Sequence, residues 1–281
     1  MKKLLTLIIT AIMAVSCIFG LTACRDNKFT GFDIELARKV VNYLNKENDV
    51  NLEIEFQEID WDSKEALLAN GTIDLVWNGM TITPARSAEM CISVPYLYNK
   101  QVAVVRVADK AKYATVASFA DANVGAEAGS AGEGVIQDQN LGKEYISSDS
   151  QLDALTSLDS GNIDVAVIDS VMAGYYTSTG VYKGKLVIVE GVELAKEEYG
   201  IAAKKENVAF MSKINDALIA LRETDYKAVA EDFGLTTSCC LTAETVNPYK
   251  NATDDSWTKI VESGKIVIGY TVFAPIAYTA E

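Results

Sequence analysis

ALLANGTIDLVWNG (residues 66–79) and TSLDSGNIDVAVID (156–169) read as one unit written twice. In each, a helical stretch runs to a glycine, Gly71 or Gly161, and Ile-Asp then opens an apolar run of strand length. Eight residues past the glycine stands Gly79 in the first copy and Asp169 in the second. Two common αβ turns could coincide in this way; the alternative is two similar lobes, each an open sheet flanked by helices. The surroundings favour an α/β chain, because helical and strand periods alternate. Phe32 to Leu44 is an amphipathic helix, Leu52 to Glu58 alternates like a strand, Ser63 to Asn70 is helical and Asp74 to Trp77 is a strand. Ligands of open α/β sheets collect beyond the carboxyl ends of strands. Asn78, Gly79 and Asp169 therefore face a shared cleft from opposite sides.

Composition narrows the function. The 281 residues carry a formal charge of −14, and nucleic acid needs a basic surface instead. There is no histidine, which excludes serine–histidine triads and most zinc sites. No metal or cofactor is expected. The cysteines form no disulfide framework. Cys91 sits in an apolar strand, and the adjacent Cys239 and Cys240 lie in a polar loop.

At the N-terminus, Lys2 and Lys3 precede an apolar stretch from Leu4 to Gly20, the pattern of a signal peptide over residues 1–23. Leu21-Thr22-Ala23-Cys24 resembles the lipobox of bacterial lipoproteins. That resemblance implies an acylated Cys24 holding an extracytoplasmic protein to the lipid bilayer. A plain signal anchor is the alternative, since the run nearly reaches spanning length.

Two segments could hold an anion. In GMTITPAR (79–86), Thr83-Pro84 has the form of an N-cap followed by proline at N1. A helical turn there places Arg86, whose planar fork matches a carboxylate, near the strand end. A surface arginine is the bland alternative. Gly79 admits close backbone approach, and Thr81 offers a hydroxyl. In NVGAEAGSAGEGVIQD (123–138) a strand passes through Gly129-Ser130 into a helix, whose first N–H groups attract anions. Ser130 either caps that helix or binds a ligand oxygen. With Asp169 as partner for a cation, the three devices suit a carboxylate and an ammonium on one small molecule, an α-amino acid.

Together GFDIELA (31–37), GTIDLVWNGMTITPAR (71–86), VPYLYNKQVAVV (94–105), VGAEAGS (124–130), VAVIDS (165–170) and EEYGIAAKK (197–205) resemble the extracellular solute-binding proteins of polar amino acid ABC transporters. The resemblance implies the type II periplasmic-binding fold, two lobes joined by a hinge, and a permease as partner. It implies that Arg86 grips the ligand α-carboxylate with Thr81, Ser130 and Ala131. Asp169 and the Gly79 carbonyl take the α-amino group. Trp61 and Phe273 clamp the ligand, and Glu127 touches its side chain. Cyclohexadienyl dehydratases share such lobes, so an enzyme using Glu127 or Asp169 as general acid is the competing class. A sensor's ligand-binding module is a third.

In the resembling family a segment like SGKIVIGYTVFAPIAYTAE (263–281) precedes one like NKFTGFDIELA (27–37). Here the order is reversed, as in a circular permutant whose first strand lies at the C-terminus. A truncated second copy or a swapped strand would also read this way. On the permuted reading the first lobe comprises residues 25–101, 201–235 and 256–281. The second lobe spans 106–196, with hinge crossings near Gln101–Val105 and Glu197–Gly200, and 236–255 is a polar linker. The ligand stays open beyond a polar amino acid: Tyr270-Thr271 stands where many such binders carry an acid, while Glu127 favours a basic ligand.

Overall fold

The computed structural model describes residues 28–178 and 180–280. The signal-peptide and Cys24 readings lie outside the described residues. The described part opens with β1 (Lys28–Thr30), α1 (Phe32–Asn48) and β2 (Glu53–Glu58). A short 3-10 turn (Trp61–Ser63) leads into α2 (Lys64–Asn70), β3 (Leu75–Thr81), α3 (Pro84–Glu89), β4 (Met90–Ile92) and β5 (Leu97–Arg106). Next come β6 (Asn123–Glu127), α4 (Ala131–Gln139), β7 (Glu144–Ser148), α5 (Gln151–Ser160), β8 (Val165–Asp169) and α6 (Ser170–Ser178). The long strand β9 (Leu186–Lys204) is followed by α7 (Val208–Leu221), α8 (Asp225–Asp232), α9 (Ser256–Ser263), β10 (Lys265–Tyr270) and β11 (Tyr278–Ala280).

The repeated unit is the same structure twice. α2 ends at Gly71 and α5 at Gly161, and each leads into a strand buried along its whole length, β3 and β8. Continuous burial explains the apolar runs, since strands of a sheet covered on both faces have no solvent side. The first strand extends to Thr81, beyond the expected Trp77, because Met80 and Thr81 continue pairing with Gly200 and Tyr199 of β9.

Each lobe has helices on both sheet faces. One core gathers α1, α7 and α8 around Trp77, Tyr96 and Phe210, and a smaller one packs α2 residue Leu68 against Val76 and Met80. The second lobe has its own pair of cores, around Val124 and Val167 and around Leu155 and Ala166. The two sheets are not separate, as the sequence had suggested. They form one hydrogen-bonded path, β2-β10-β3-β9-β5-β8-β6-β7, with β4 also on β9. The reason is that β5 and β9 are long enough to run through both lobes. They pair antiparallel from Leu97 with Tyr199 to Arg106 with Leu186, with irregular register between Gln101 and Val104.

The C-terminal segment enters the centre of the first-lobe sheet. β10 lies between β2 and β3, parallel to both, with Ile268 opposite Phe56 on one side and Leu75 on the other. The chain then folds over α1: Phe32 N–H donates to the Pro275 carbonyl at 2.9 Å and Asp33 N–H to that of Ile276 at 3.0 Å. Two orphan donors of a helix start are thereby satisfied. Gly31 makes this approach with φ of 132°, where an added Cβ would sit 2.2 Å from the Ile276 oxygen. β11 closes antiparallel on β1. Residues 236–255 are held to α7, where the Asn247 amide donates to the Ser212 carbonyl at 2.9 Å and to Asp216 at 2.9 Å. Cys91, Cys239 and Cys240 are free thiols. Among the described residues no helix is long and apolar enough to cross a membrane.

Candidate functional site

Lobe one presents the carboxyl end of β3. Gly79 takes φ of 61°, and its N–H donates to Asp33 Oδ2 at 2.7 Å. Asp33 is fully buried on α1 and also accepts from Tyr96 Oη at 2.8 Å. Burial pushes its carboxyl up to about 7, against the lowering effect of these bonds. A Cβ at residue 79 would meet the Phe273 ring at 2.8 Å, so glycine lets that ring close on the strand. Asn78 donates to Thr271 Oγ1 at 2.8 Å, while its own buried Oδ1 has no partner.

The turn after β3 folds as its sequence dictates. Thr83 caps α3 by accepting from Arg86 N–H at 3.1 Å, with Pro84 at the helix start. Arg86 is thereby turned back along the strand, and its Nη1 donates to the Thr81 carbonyl at 2.8 Å. Its Nη2 reaches across to the Gly129 carbonyl of lobe two at 2.9 Å. Lys64, only 1% exposed, donates to the same carbonyl at 3.3 Å and lies 4.8 Å from the Trp61 ring centre. Desolvation first, then Arg86, lowers the Lys64 pKa.

Lobe two supplies Glu127 at the end of β6, Ser130 and Ala131 at the start of α4, and Asp169 at the end of β8. Ser130 does cap the helix, accepting from Glu133 N–H at 3.2 Å. The first N–H groups of a helix have no intrahelical partner, and those of α4 begin at Ala131. Asp169 is 5% exposed and wrapped by neutral donors: Gln101 at 2.9 Å, Tyr199 Oη at 2.7 Å, and the amides of Asn99 and Gln151. Burial, followed by the charge of Asp169, pushes the Glu127 carboxyl up to about 8.

These groups converge. One pocket is lined by all ten sequence candidates: Trp61, Asn78, Gly79, Thr81, Arg86, Glu127, Ser130, Ala131, Asp169 and Phe273. Gln151 and Thr271 complete the lining and were not foreseen. Thr271 could have been read from its place two residues before Phe273; Gln151, on a helix of the far lobe, left no local signal. Chemically the walls offer one cation, a set of N–H and hydroxyl donors, carboxylates and two aromatic rings.

A model of the bacterial extracellular solute-binding proteins, family 3, matches residues 19–236. The chain belongs to that family. It is 28% identical over 214 residues to the ABC transporter arginine-binding protein 1 of Escherichia coli K12, covering 74% of this chain and 83% of that one. It is 31% identical over 200 residues to a probable histidine-binding protein of Neisseria gonorrhoeae, covering 69% and 70%. Among solved structures, a substrate-binding protein of an ABC uptake transporter from Streptococcus pneumoniae with bound histidine superimposes with a TM-score of 0.66. That structure has 29% identity, over 74% of this chain and 85% of that one. The family's two-lobed periplasmic-binding fold is the fold described above, and these relatives are binding proteins rather than enzymes.

Proposed function

We propose that this protein captures a free polar amino acid between its lobes and delivers it to the permease of an ABC transporter. The observation that carries the reading is the polarity of one cavity. Its walls carry the Arg86 guanidinium, Thr81 and the α4 start together with the carboxylate of Asp169. An α-carboxylate and an α-ammonium satisfy both, with Gly79 and Ser130 assisting. Trp61 and Phe273 sandwich the ligand stem. The unpartnered Asn78 Oδ1 and the Glu127 carboxyl are acceptors for a side chain bearing N–H groups, in keeping with relatives named for arginine and histidine.

Capture works as a clamp. β5 and β9 are the connections along which residues 106–196 swing on the rest, and the cross-lobe bonds from Arg86 and Lys64 to Gly129 belong to the closed form. Ligand favours closure only as far as it contacts the closed state better. Cys24 is the lipid anchor, after removal of residues 1–23. The chain order is a circular permutation: the family match ends at residue 236, yet β10 from beyond it occupies the middle of the first-lobe sheet.

A thermal-shift screen against the twenty amino acids and cystine tests the reading, because a tight ligand raises apparent stability by mass action. One or a few polar amino acids should raise Tm by several degrees, and no response to any would overturn it. Cys24→Ala should abolish radiolabelled palmitate incorporation in cells. A re-permuted chain, with residue 281 joined to residue 25 and new ends near residue 250, should fold and bind equally well.

A further inference from the structure

Outside the cavity wall, a second carboxyl is tied to Asp169. Glu197 and Tyr199 project from one face of β9, and Asn99 and Gln101 from one face of β5. Gln101 Nε2 donates to Asp169 Oδ1 at 2.9 Å and to Glu197 Oε1 at 2.8 Å. The Asn99 amide nitrogen contacts the same two oxygens. Asn99 cannot turn its carbonyl towards the acids, because that oxygen accepts from Ser170 Oγ at 2.9 Å and from Val171 N–H. The other Glu197 oxygen accepts from Thr81 Oγ1 at 2.8 Å. Two acids thus converge on two neutral amides at the strands that join the lobes.

We propose that Glu197 holds a proton for Asp169 in the ligand-free protein, and that an amino acid's ammonium docking on Asp169 expels it, coupling capture to pH. The inference rests on the assignment of Asp169 to the α-ammonium. Two carboxyls sharing donors cannot both ionise cheaply, and their protons belong to the pair. The groups facing Glu197 are Thr81 from β3, Arg86 from α3, Asn99 and Gln101 from β5, Asp169 from β8 and Tyr199 on β9. Of these only Arg86 is cationic, and its hydrogen bonds go to the Thr81 and Gly129 carbonyls rather than to Glu197. Burial, then Asp169, holds the Glu197 carboxyl well above the ordinary range. The arriving ammonium adds the positive charge that lets Glu197 ionise beside Asp169. The O–H bond of Glu197 breaks, its electron pair stays on the carboxylate, and the proton passes to buffer.

Calorimetric titration with L-arginine, L-glutamine and L-cystine, each in phosphate and in Tris near neutral pH, counts the protons released. The wild type should release on the order of half to one proton per amino acid bound, with affinity rising by up to about tenfold per pH unit through the neutral range. Glu197→Gln should still bind but lose most of that release and flatten the pH dependence. Glu127→Gln should retain the release whatever its affinity. Release that is absent in the wild type, or that persists in Glu197→Gln, overturns the proposal. Carbon-13 NMR of the glutamate carboxyls in the ligand-free wild type is the second measurement. A resonance titrating above neutrality that disappears in Glu197→Gln supports the proposal, and its absence in the wild type overturns it. If that resonance is present and none of the three amino acids binds, the proton-holding pair stands and the assignment of the ligand fails.

Discussion

Replacing Arg86 by methionine should separate binding from folding. The guanidinium is largely withdrawn from solvent, and desolvation is the first cause lowering its pKa. Its hydrogen bonds go to two backbone carbonyls, Thr81 and Gly129. Methionine fills much of the same space and carries no charge to desolvate. The stability of the ligand-free protein should therefore stay within about 1 kcal/mol of wild type or rise, as when buried charges give way to apolar groups. Binding should suffer far more. An amino acid's carboxylate would enter the cavity and meet no cation, and truncating one partner of a buried pair costs about 3–5 kcal/mol. That is roughly a 10²- to 10⁴-fold rise in Kd. Arg86→Lys keeps the charge but loses the fork, so its loss should be smaller. Urea unfolding gives the first quantity and calorimetry with the best amino acid from the screen gives the second. Arg86→Met binding within about tenfold of wild type would refute the carboxylate assignment. Unfolding of that variant at far lower urea would refute the claim that the charge is present for binding.

Ile268→Ala, at a fully buried position of β10, should cost about 2–5 kcal/mol in urea unfolding; a surface-like effect would show that the strand is not central. Gly79→Ala faces both φ of 61° and the Phe273 ring at 2.8 Å. It should lose about 1–3 kcal/mol of stability and weaken ligand binding, both visible by thermal shift. Glu127 is raised to about 8, so the folded protein holds this proton more tightly than the unfolded chain. Its contribution to stability is therefore fully present below the ordinary carboxylate range and drains away as pH rises towards about 8. Glu127→Gln should remove that part of the fall and stabilise the ligand-free protein near pH 8 by on the order of 2–4 kcal/mol. Urea midpoints measured across pH check the sign, and a wild type that gains stability over this range would contradict it.

Much of the molecule was legible because its strands announce themselves. β3 and β8 are buried on both faces, so each opens on an apolar run, residues 75–77 and 165–168, a few residues after a helix-ending glycine. Sheet geometry then fixes where their last residues point, and Asn78, Gly79 and Asp169 could be placed without coordinates. The continuity of the sheet through β5 and β9 was not legible, since strand length across a lobe boundary depends on pairing rather than on pattern. The polar pairs Asn99/Gln101 and Glu197/Tyr199 did leave a signal: residues two apart share a strand face. Lys64 left none. It stands in a short helix where a lysine would normally face water, and it is held instead by the Trp61 carbonyl and ring and by the Gly129 carbonyl from the other lobe.

The placement of β10 has a consequence for how the chain acquires its shape. β2 pairs with β10 and with no other strand among the described residues, and Lys265 reaches Glu55 across 210 positions of sequence. Closing so long a loop adds little to the free energy of the finished state, since the entropy grows only with the logarithm of length. It weighs instead on the order of events, because distant pairings form slowly. As the polypeptide leaves the ribosome, residues 106–169 can assemble among themselves, while β2 and β3 wait with bare edges. A stretch of waiting sheet is the kind of surface that chaperones cover.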